Sequence, residues 1–293
     1  MSVSLQYLTD ALKKTDGVDC PRLEAEWILQ SGRSDIEEIL ERRRKKEPLS
    51  KILQSRGFWA YDFKVTKDTL DPRPDSETLI EAVLHQFLDK KAPLRILDLG
   101  TGTGCLLLTL LKEYPQSTGL GVDKSLDALR VAFENAVSLG VSSRAFFAQG
   151  DWFENGWTEK LKESGFDPKK IDLLREKSKK REKKEALFPF FPVDMIISNP
   201  PYIPTKEIDF LQEEVSKYDP RLALDGGKDG LSSYRRLAET VHSLLKTSGR
   251  IFFEIGQGQE EQVTSLMQKN GFAFQTAYKD LGGIPRCLVF RST

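Results

Sequence analysis

A short apolar run that empties into three alternating glycines constrains this chain more than any other stretch. Leu94-Arg95-Ile96-Leu97 reads as a buried strand, Asp98-Leu99-Gly100-Thr101-Gly102-Thr103-Gly104-Cys105 follows at once, and a leucine-rich helix runs to about Glu113. Glycines at alternate positions let the backbone turn tightly and come close to a ligand. Such a turn is informative only with a strand before it and a helix after it, and both are present. A second strand, about 118–122, ends in Asp123. It lies roughly 20 residues beyond the first glycine, where an acidic side chain accepts from a pair of ribose hydroxyls. The helix 125–139 comes next. Strand, helix, strand in this order predicts an α/β fold around a largely parallel sheet.

The same turn narrows the ligand. The dinucleotide fingerprint has glycine at its first, third and sixth positions, but here the sixth is Cys105. The Lys-Ser/Thr pair of a phosphate-binding loop is missing. Of NAD, FAD and S-adenosylmethionine, the spacing favours the ligand without a pyrophosphate. A third strand, about 145–149, leads into Gly150-Asp151-Trp152-Phe153. Asp151 or the backbone beside it is placed to bond an adenine amine, and Trp152 to stack on the ring.

A second apolar strand, Val193-Asp194-Met195-Ile196-Ile197, ends in Ser198-Asn199-Pro200-Pro201-Tyr202-Ile203. Two prolines stiffen the chain and withhold two N–H donors. The residue before a proline is pushed to extended geometry, so Asn199 is held in one backbone state. The C-terminal end of a strand is where open α/β sheets bind ligands. An asparagine offers one acceptor oxygen and two donors. The Asn199 oxygen and the Pro200 carbonyl can together accept both hydrogens of an –NH2 group, with the Tyr202 ring packed against the same planar group. The acceptor so described is a planar, weakly nucleophilic nitrogen, either an amide or an exocyclic base amine.

The 293 residues leave room for a large domain and a small one. Residues 1–54 read as short helices forming a small bundle, with Leu5, Leu8 and Leu12 at helical spacing, Pro21 in a first turn, and Ser34-Asp35-Ile36-Glu37 as a capping box. Such a bundle is either a stabilising extension or a docking module for a macromolecular substrate. Residues 55–72 alternate through Phe58, Tyr61, Phe63 and Val65 as a hairpin-like linker. Asp71-Pro72-Arg73-Pro74-Asp75 is a rigid bend, with Asp75 as the cap of the next helix. The large α/β domain spans 73–293, with seven strands from residue 94 on, the last two a hairpin-like pair. A helix is expected through Leu237, Val241, Leu244 and Leu245, and a strand over Ile251–Ile255. A basic insertion at about 159–185 interrupts the domain; from Lys169 to Glu185 it holds nine basic and four acidic residues. It reads as a solvated surface segment, or as a point of contact with RNA or the ribosome. Phe188, Phe190 and Phe191 are expected to return the chain to the core.

Composition removes several classes. A formal net charge of +0 argues against a large basic surface for duplex DNA. Cys20, Cys105 and Cys287 are far apart, without metal-ligand spacing, as in a reducing cytoplasm. The only histidines, His85 and His242, sit in helix-like runs, so neither histidine catalysis nor a metal site is expected. No signal peptide is read, and no apolar run reaches the roughly 18 residues of a membrane span.

The ordered motifs are Arg73-Pro74-Asp75-Ser76-Glu77, Asp98 to Gly104, Gly121-Val122-Asp123, Gly150-Asp151-Trp152-Phe153, Asn199 to Tyr202, and Asp219 to Gly227. Together they resemble class I S-adenosylmethionine-dependent methyltransferases, with a Rossmann-like seven-stranded mixed sheet. More narrowly they resemble the release factor glutamine methyltransferases, which act on the glutamine amide nitrogen of a Gly-Gly-Gln loop in peptide-chain release factors. Asn-Pro-Pro-Tyr is shared with adenine-N6 methyltransferases of DNA and RNA, the alternative reading. The segments Arg73-Pro74 and Asp219-Pro220-Arg221-Leu222-Ala223-Leu224 narrow the match. The resemblance implies that Gly100, Thr101, Gly102, Thr103, Gly104 and Asp123 bind the methionine and ribose parts of the cofactor, and that Trp152 flanks the adenine. It implies that Asn199 stands between cofactor and substrate, that Asn199, Pro200, Pro201 and Tyr202 hold the glutamine amide, and that Arg73 lies on the substrate side. The N-terminal bundle would dock the release factor, in the cytoplasm, with no stable nucleic-acid partner. Two departures are the long basic insertion and Pro74-Asp75-Ser76-Glu77 in place of the family's Pro-Glu-Thr-Glu.

Overall fold

A computed structural model describes residues 4–163 and 190–293. The greater part of the basic insertion, residues 164–185, and Phe188 lie outside the described residues.

Helices α1 (Leu5–Leu12), α2 (Pro21–Gln30), α3 (Ile36–Arg44) and α4 (Leu49–Leu53) close around a core of their own, with Leu8, Leu12, Ile28, Ile39 and Ile52 buried in it. The capping box expected at α3 does not form. Asp35 occupies the N-cap without a side-chain bond to the helix, because Arg33 Nε donates to its carboxylate at 2.8 Å. A charge-assisted bond of this kind outcompetes a bond to a neutral N–H.

Strands β1 (Ser55–Phe58) and β2 (Tyr61–Lys64) form an antiparallel hairpin with Phe58 opposite Tyr61. Phe58 and Phe63 enter the main core, among Leu79, Val83 and Leu107.

The main sheet has seven strands: β3 (Arg95–Leu99), β4 (Thr118–Asp123), β5 (Ala145–Gln149), β6 (Val193–Ser198), β7 (Leu245–Glu254), β8 (Phe272–Lys279) and β9 (Pro285–Ser292), in the order β5-β4-β3-β6-β7-β9-β8. The first five in that order are parallel, while β9 runs antiparallel to both neighbours. A parallel strand covered on both faces needs apolar residues at successive positions. Ile96, Ile197 and Phe252 accordingly face α5 (Glu77–Gln86), α6 (Cys105–Glu113) and α7 (Leu126–Ser138). Their sequence neighbours Leu97, Ile196 and Phe253 face the other side. There they meet α8 (Trp157–Glu163), α9 (Ser232–Thr240) and α10 (Glu260–Lys269) through Trp157, Tyr234, Leu237 and Val263. Phe190 is buried in the same cluster, with Phe191 packed against it.

The helix expected through Leu245 ends at Thr240, followed by a 3-10 turn over Val241–Leu244. Leu245 already begins β7, paired with Val193. The apolar spacing suits either element, and pairing with β6 decides it.

Strand β3 pairs with β4 on one side and with β6 on the other. Chain connections leave in opposite directions at that point, so a crevice opens beyond the C-terminal ends of β3 and β6. Gly100 directly follows β3 and Asn199 directly follows β6. Among the described residues no helix is long and apolar enough to cross a membrane.

Candidate active site

Two cavities meet at this crevice. The first, about 240 Å³, is lined by Gly100, Gly102, Asp123, Trp152, Phe153, Asn199 and Pro201, among others. The second, about 570 Å³, is lined by Arg73, Tyr202, Val215, Glu254 and Arg286, among others. Leu70, Asn199 and Ala223 line both. Asn199 therefore stands at the junction of the two spaces.

The glycine turn is shaped for a close ligand. Gly100 has φ +78°, and a Cβ there would stand 3.2 Å from Trp152 Cη2, so the indole lies against bare backbone. Gly102 has φ +54°, and a Cβ there would meet nothing within 4 Å. It lines the first cavity, so any side chain would occupy the ligand's space. Asp123 Oδ2 accepts from Gly102 N–H at 2.9 Å and Oδ1 from Ser125 N–H at 2.9 Å. These bonds aim the carboxylate and leave lone pairs for a diol. Burial raises its carboxyl above the ordinary range. Backbone approach at Gly102, a carboxylate for hydroxyls and an aromatic wall together fit S-adenosylmethionine.

Thr101, Thr103, Gly104 and Pro200 line neither cavity. Thr101 Oγ1 donates to Asp98 Oδ2 at 2.7 Å. Thr103 Oγ1 accepts from Cys105 N–H at 3.3 Å. Asn135 of α7 donates to the Thr103 carbonyl at 2.9 Å and also bonds the Lys64 backbone. The two threonine side chains thus hold the turn in shape and do not face the ligand. Asp98 is buried behind the turn, and burial pushes its carboxyl up to about 7. Asp151 lines the first cavity, but its carboxylate is engaged by Lys124 at 2.9 Å and by Phe153 N–H at 2.9 Å. The Asp151 carboxylate is thus already engaged within the chain on both of its oxygens. Trp152 is almost wholly buried, whereas Phe153 is 54% exposed and lines the cavity as a second aromatic.

The Asn199 loop is braced on its far side. Ile203 N–H donates to Leu224 O at 3.1 Å, and Gly226 N–H to Ile203 O at 2.8 Å. Gln259 Nε2 donates to the Tyr202 carbonyl at 3.0 Å. Asn199 Nδ2 donates to Ser76 Oγ at 3.2 Å. Asp75 does not cap α5; its carboxylate pairs with Arg286 of β9 at 2.8 Å. An ion pair again wins over a cap.

Arg73 meets Asp219 at 2.5 Å. The Asp219 side chain is 2% exposed and also meets Lys51 Nζ of α4 at 3.2 Å. Lys51 donates to the carbonyls of Thr66 and Thr69, and Ser50 donates to Asp71. Arg43 of α3, itself buried, pairs with Glu24 at 2.9 Å and with Glu214 at 2.6 Å. The N-terminal helices thus grip the segment 213–219, whose Val215 lines the second cavity. Lys51, Ser76, Asn135 and Glu254 are absent from the sequence-based site. Ser76 stood within the motif Arg73 to Glu77, and Glu254 is an acid ending the apolar strand Ile251-Phe252-Phe253, whereas Lys51 and Asn135 carried no local signal.

Residues 90–277 match the family of methyltransferase domains. The hMettl16 catalytic domain, solved with a MAT2A 3'UTR hairpin, is similar in fold, with TM-score 0.53 and 11% identity over 78% of this chain and 74% of that one. Sheet order, switch point and glycine turn place the protein in the class I, S-adenosylmethionine-dependent methyltransferases. The release factor glutamine methyltransferase of Rhodospirillum rubrum is 43% identical over 256 residues, covering 87% of this chain and 68% of that protein. That of Caulobacter vibrioides is 39% identical over 254 residues, covering 87% and 76%. The chain belongs to the release factor glutamine methyltransferase family.

Proposed function

We propose that this protein methylates the side-chain amide nitrogen of the glutamine in the Gly-Gly-Gln loop of peptide-chain release factors, in support of translation termination. The observation that carries the reading is Asn199, held by two prolines at the junction of the two cavities. Gly100, Gly102, Asp123 and the Trp152–Phe153 wall would hold S-adenosylmethionine in the smaller cavity. Thr101, Thr103 and Gly104 shape that turn.

When bound, S-adenosylmethionine supplies a methyl group on a cationic sulfur, which keeps the C–S electron pair and becomes a neutral thioether as the N–C bond forms. The chain's own task is the nucleophile, because an amide lone pair is delocalised into its carbonyl. Asn199 Oδ1, at the junction of the cavities, takes one amide hydrogen; the Pro200 carbonyl, whose residue lines neither cavity, takes the other once the substrate seats against the proline loop; and the Tyr202 side chain packs on the amide plane. Both acceptors favour positive charge building on the nitrogen, and one amide proton then leaves to water. Positioning and electrostatic alignment of this kind lower a barrier by several kcal/mol, up to about 7–11 in well-oriented systems. Pro200 and Pro201 keep the acceptors from relaxing.

Arg73 and the segment 213–219 form the substrate side of the larger cavity. Residues 1–54 would serve as the docking unit, 55–72 as the connection, and 73–293 as the methyltransferase domain. A release factor substrate fits a cytoplasmic protein. The test is mass spectrometry of a purified release factor after incubation with the protein and S-adenosylmethionine. One added methyl on the Gly-Gly-Gln glutamine is expected. Labelling of adenine in nucleic acid, with none on the release factor, would overturn the reading.

A further inference from the structure

Glu254 ends β7 in the wall of the larger cavity and is 2% exposed. One of its oxygens, Oε2, is buried and has no hydrogen-bond partner among the described residues. A buried carboxylate oxygen without a partner is costly and calls for a role. The Ser76 and Asn199 side chains stand near enough to this carboxyl to lower its titration against the effect of burial, Asn199 and Glu254 line the same cavity, and Asn199 Nδ2 donates to Ser76 Oγ at 3.2 Å. Because Ser76 Oγ accepts from Asn199, its own hydrogen is free to point to Glu254. Donors can then run in one direction, from Asn199 to Ser76 and on toward Glu254.

We infer that Glu254 is a positioning residue that sets the amide orientation of Asn199. The inference rests on the reading of Asn199 given above. An asparagine amide has an acceptor end and a donor end of nearly the same shape. Only the acceptor end, Oδ1, suits an incoming –NH2 group; the donor end would set N–H against N–H. An ionised Glu254 accepts only, so it draws the Asn199 –NH2 toward Ser76 and itself and leaves Oδ1 for the substrate. A protonated Glu254 offers a donor, and the opposite orientation becomes as good. Ionisation is thereby tied to a working site.

The titratable and charged groups that act electrostatically with this carboxyl are Asp75 before α5, Cys105 opening α6, Tyr202 after β6, Tyr234 of α9, and Arg286 and Cys287 of β9. Arg286 is the only cation among these six, and Asp75 and Asp280 share it at 2.8 Å each. Burial, set against this shared charge, pushes the Glu254 carboxyl up to about 7.

The experiment follows methyl transfer to a purified release factor by the full chain from about pH 5.5 to 9. Wild-type kcat should rise through an apparent pKa near 7 and level off above it. In Glu254→Gln, which places a donor where the carboxylate accepted, kcat should fall by about tenfold to a hundredfold and lose this pH dependence. S-adenosylmethionine affinity should stay unchanged, since Glu254 does not line the smaller cavity. Should the Gln variant fail to fold, Ser76 provides the second test: Ser76→Ala breaks the relay and lowers kcat, and Ser76→Thr, which keeps the hydroxyl, restores it. Wild-type transfer together with an unchanged rate and pH limb in Glu254→Gln overturns the assignment alone. A full rate in Ser76→Ala does the same. A wild-type chain that adds no methyl to the release factor overturns the functional reading and the assignment with it.

Discussion

Replacing Lys51 by methionine tests how firmly the N-terminal helices are built into the catalytic domain. Lys51 is 4% exposed, and its ammonium lies 3.2 Å from Asp219 and 3.5 Å from Asp71, both nearly inaccessible. It also serves the carbonyls of Thr66 and Thr69. Methionine keeps the length of the stem but leaves two buried carboxylates facing each other. Asp219 then retains Arg73, which is 37% exposed and screened by water, and Asp71 retains Ser50. Removing one partner of a buried ion pair costs about 3–5 kcal/mol. At about 2–3 °C per kcal/mol for a domain of this size, the expected loss in Tm is about 6–15 °C. Thermal unfolding followed by circular dichroism reads it directly. The double variant Lys51→Met with Asp219→Asn should regain part of the loss, because one stranded charge is gone and the two sites are coupled. A Lys51→Met protein within about 2 °C of wild type would refute the argument, since water or rearrangement would then be solvating the carboxylates.

Three further expectations concern the site and its charges. Asn199→Ala should lower kcat by about a hundredfold or more in the release factor assay while S-adenosylmethionine binding changes little, because the lost acceptor acts on the nucleophile; near-normal turnover would sink the assignment. Asp123→Ala should do the reverse, weakening S-adenosylmethionine binding by about tenfold to a hundredfold in calorimetry through loss of charged acceptors for hydroxyls. Asp98 is held up at about 7 by burial, above its unfolded value, so the folded state binds its proton more tightly. Its contribution is present in full below the unfolded value and is lost as pH rises through about 7, by about 4 kcal/mol. Asp98→Asn should therefore gain on wild type in denaturant titrations between about pH 4 and pH 8, and a loss over that range would contradict the burial argument.

Much of the fold was legible because its signals are local. A strand with both faces covered needs apolar residues at successive positions, and Ile96-Leu97 and Ile196-Ile197 are such pairs. Each pair splits between the two cores. The expected strand over 118–122 ending in Asp123 is β4, and the expected helix 125–139 is α7 with Ser125 as its cap, its hydroxyl accepting from Ala128 N–H. Failures came where two local solutions compete for one group. Asp35 and Asp75 have the chemistry of caps, but a guanidinium reached each of them. Leu245 fits a helical stripe, but β6 offered it a strand partner.

What the sequence determined by itself is the set of parts: a turn that only glycine can make, an acid placed for a diol, and an asparagine locked between a strand and two prolines. Backbone sterics and side-chain chemistry act over a few residues, so these parts are written where they stand. What only the tertiary structure decided is which parts meet. Parallel pairing of β3 with β6 sets Gly100 beside Asn199, and the turn before α5 brings Ser76 within 3.2 Å of the same amide. The end of β7 adds Glu254 to that group, and Lys51 is buried against Asp219. Each of these contacts joins residues far apart in the chain. Each depends on burial, which turns an ordinary carboxyl or ammonium into a group that must find a partner, and no stretch of sequence carries burial on its own.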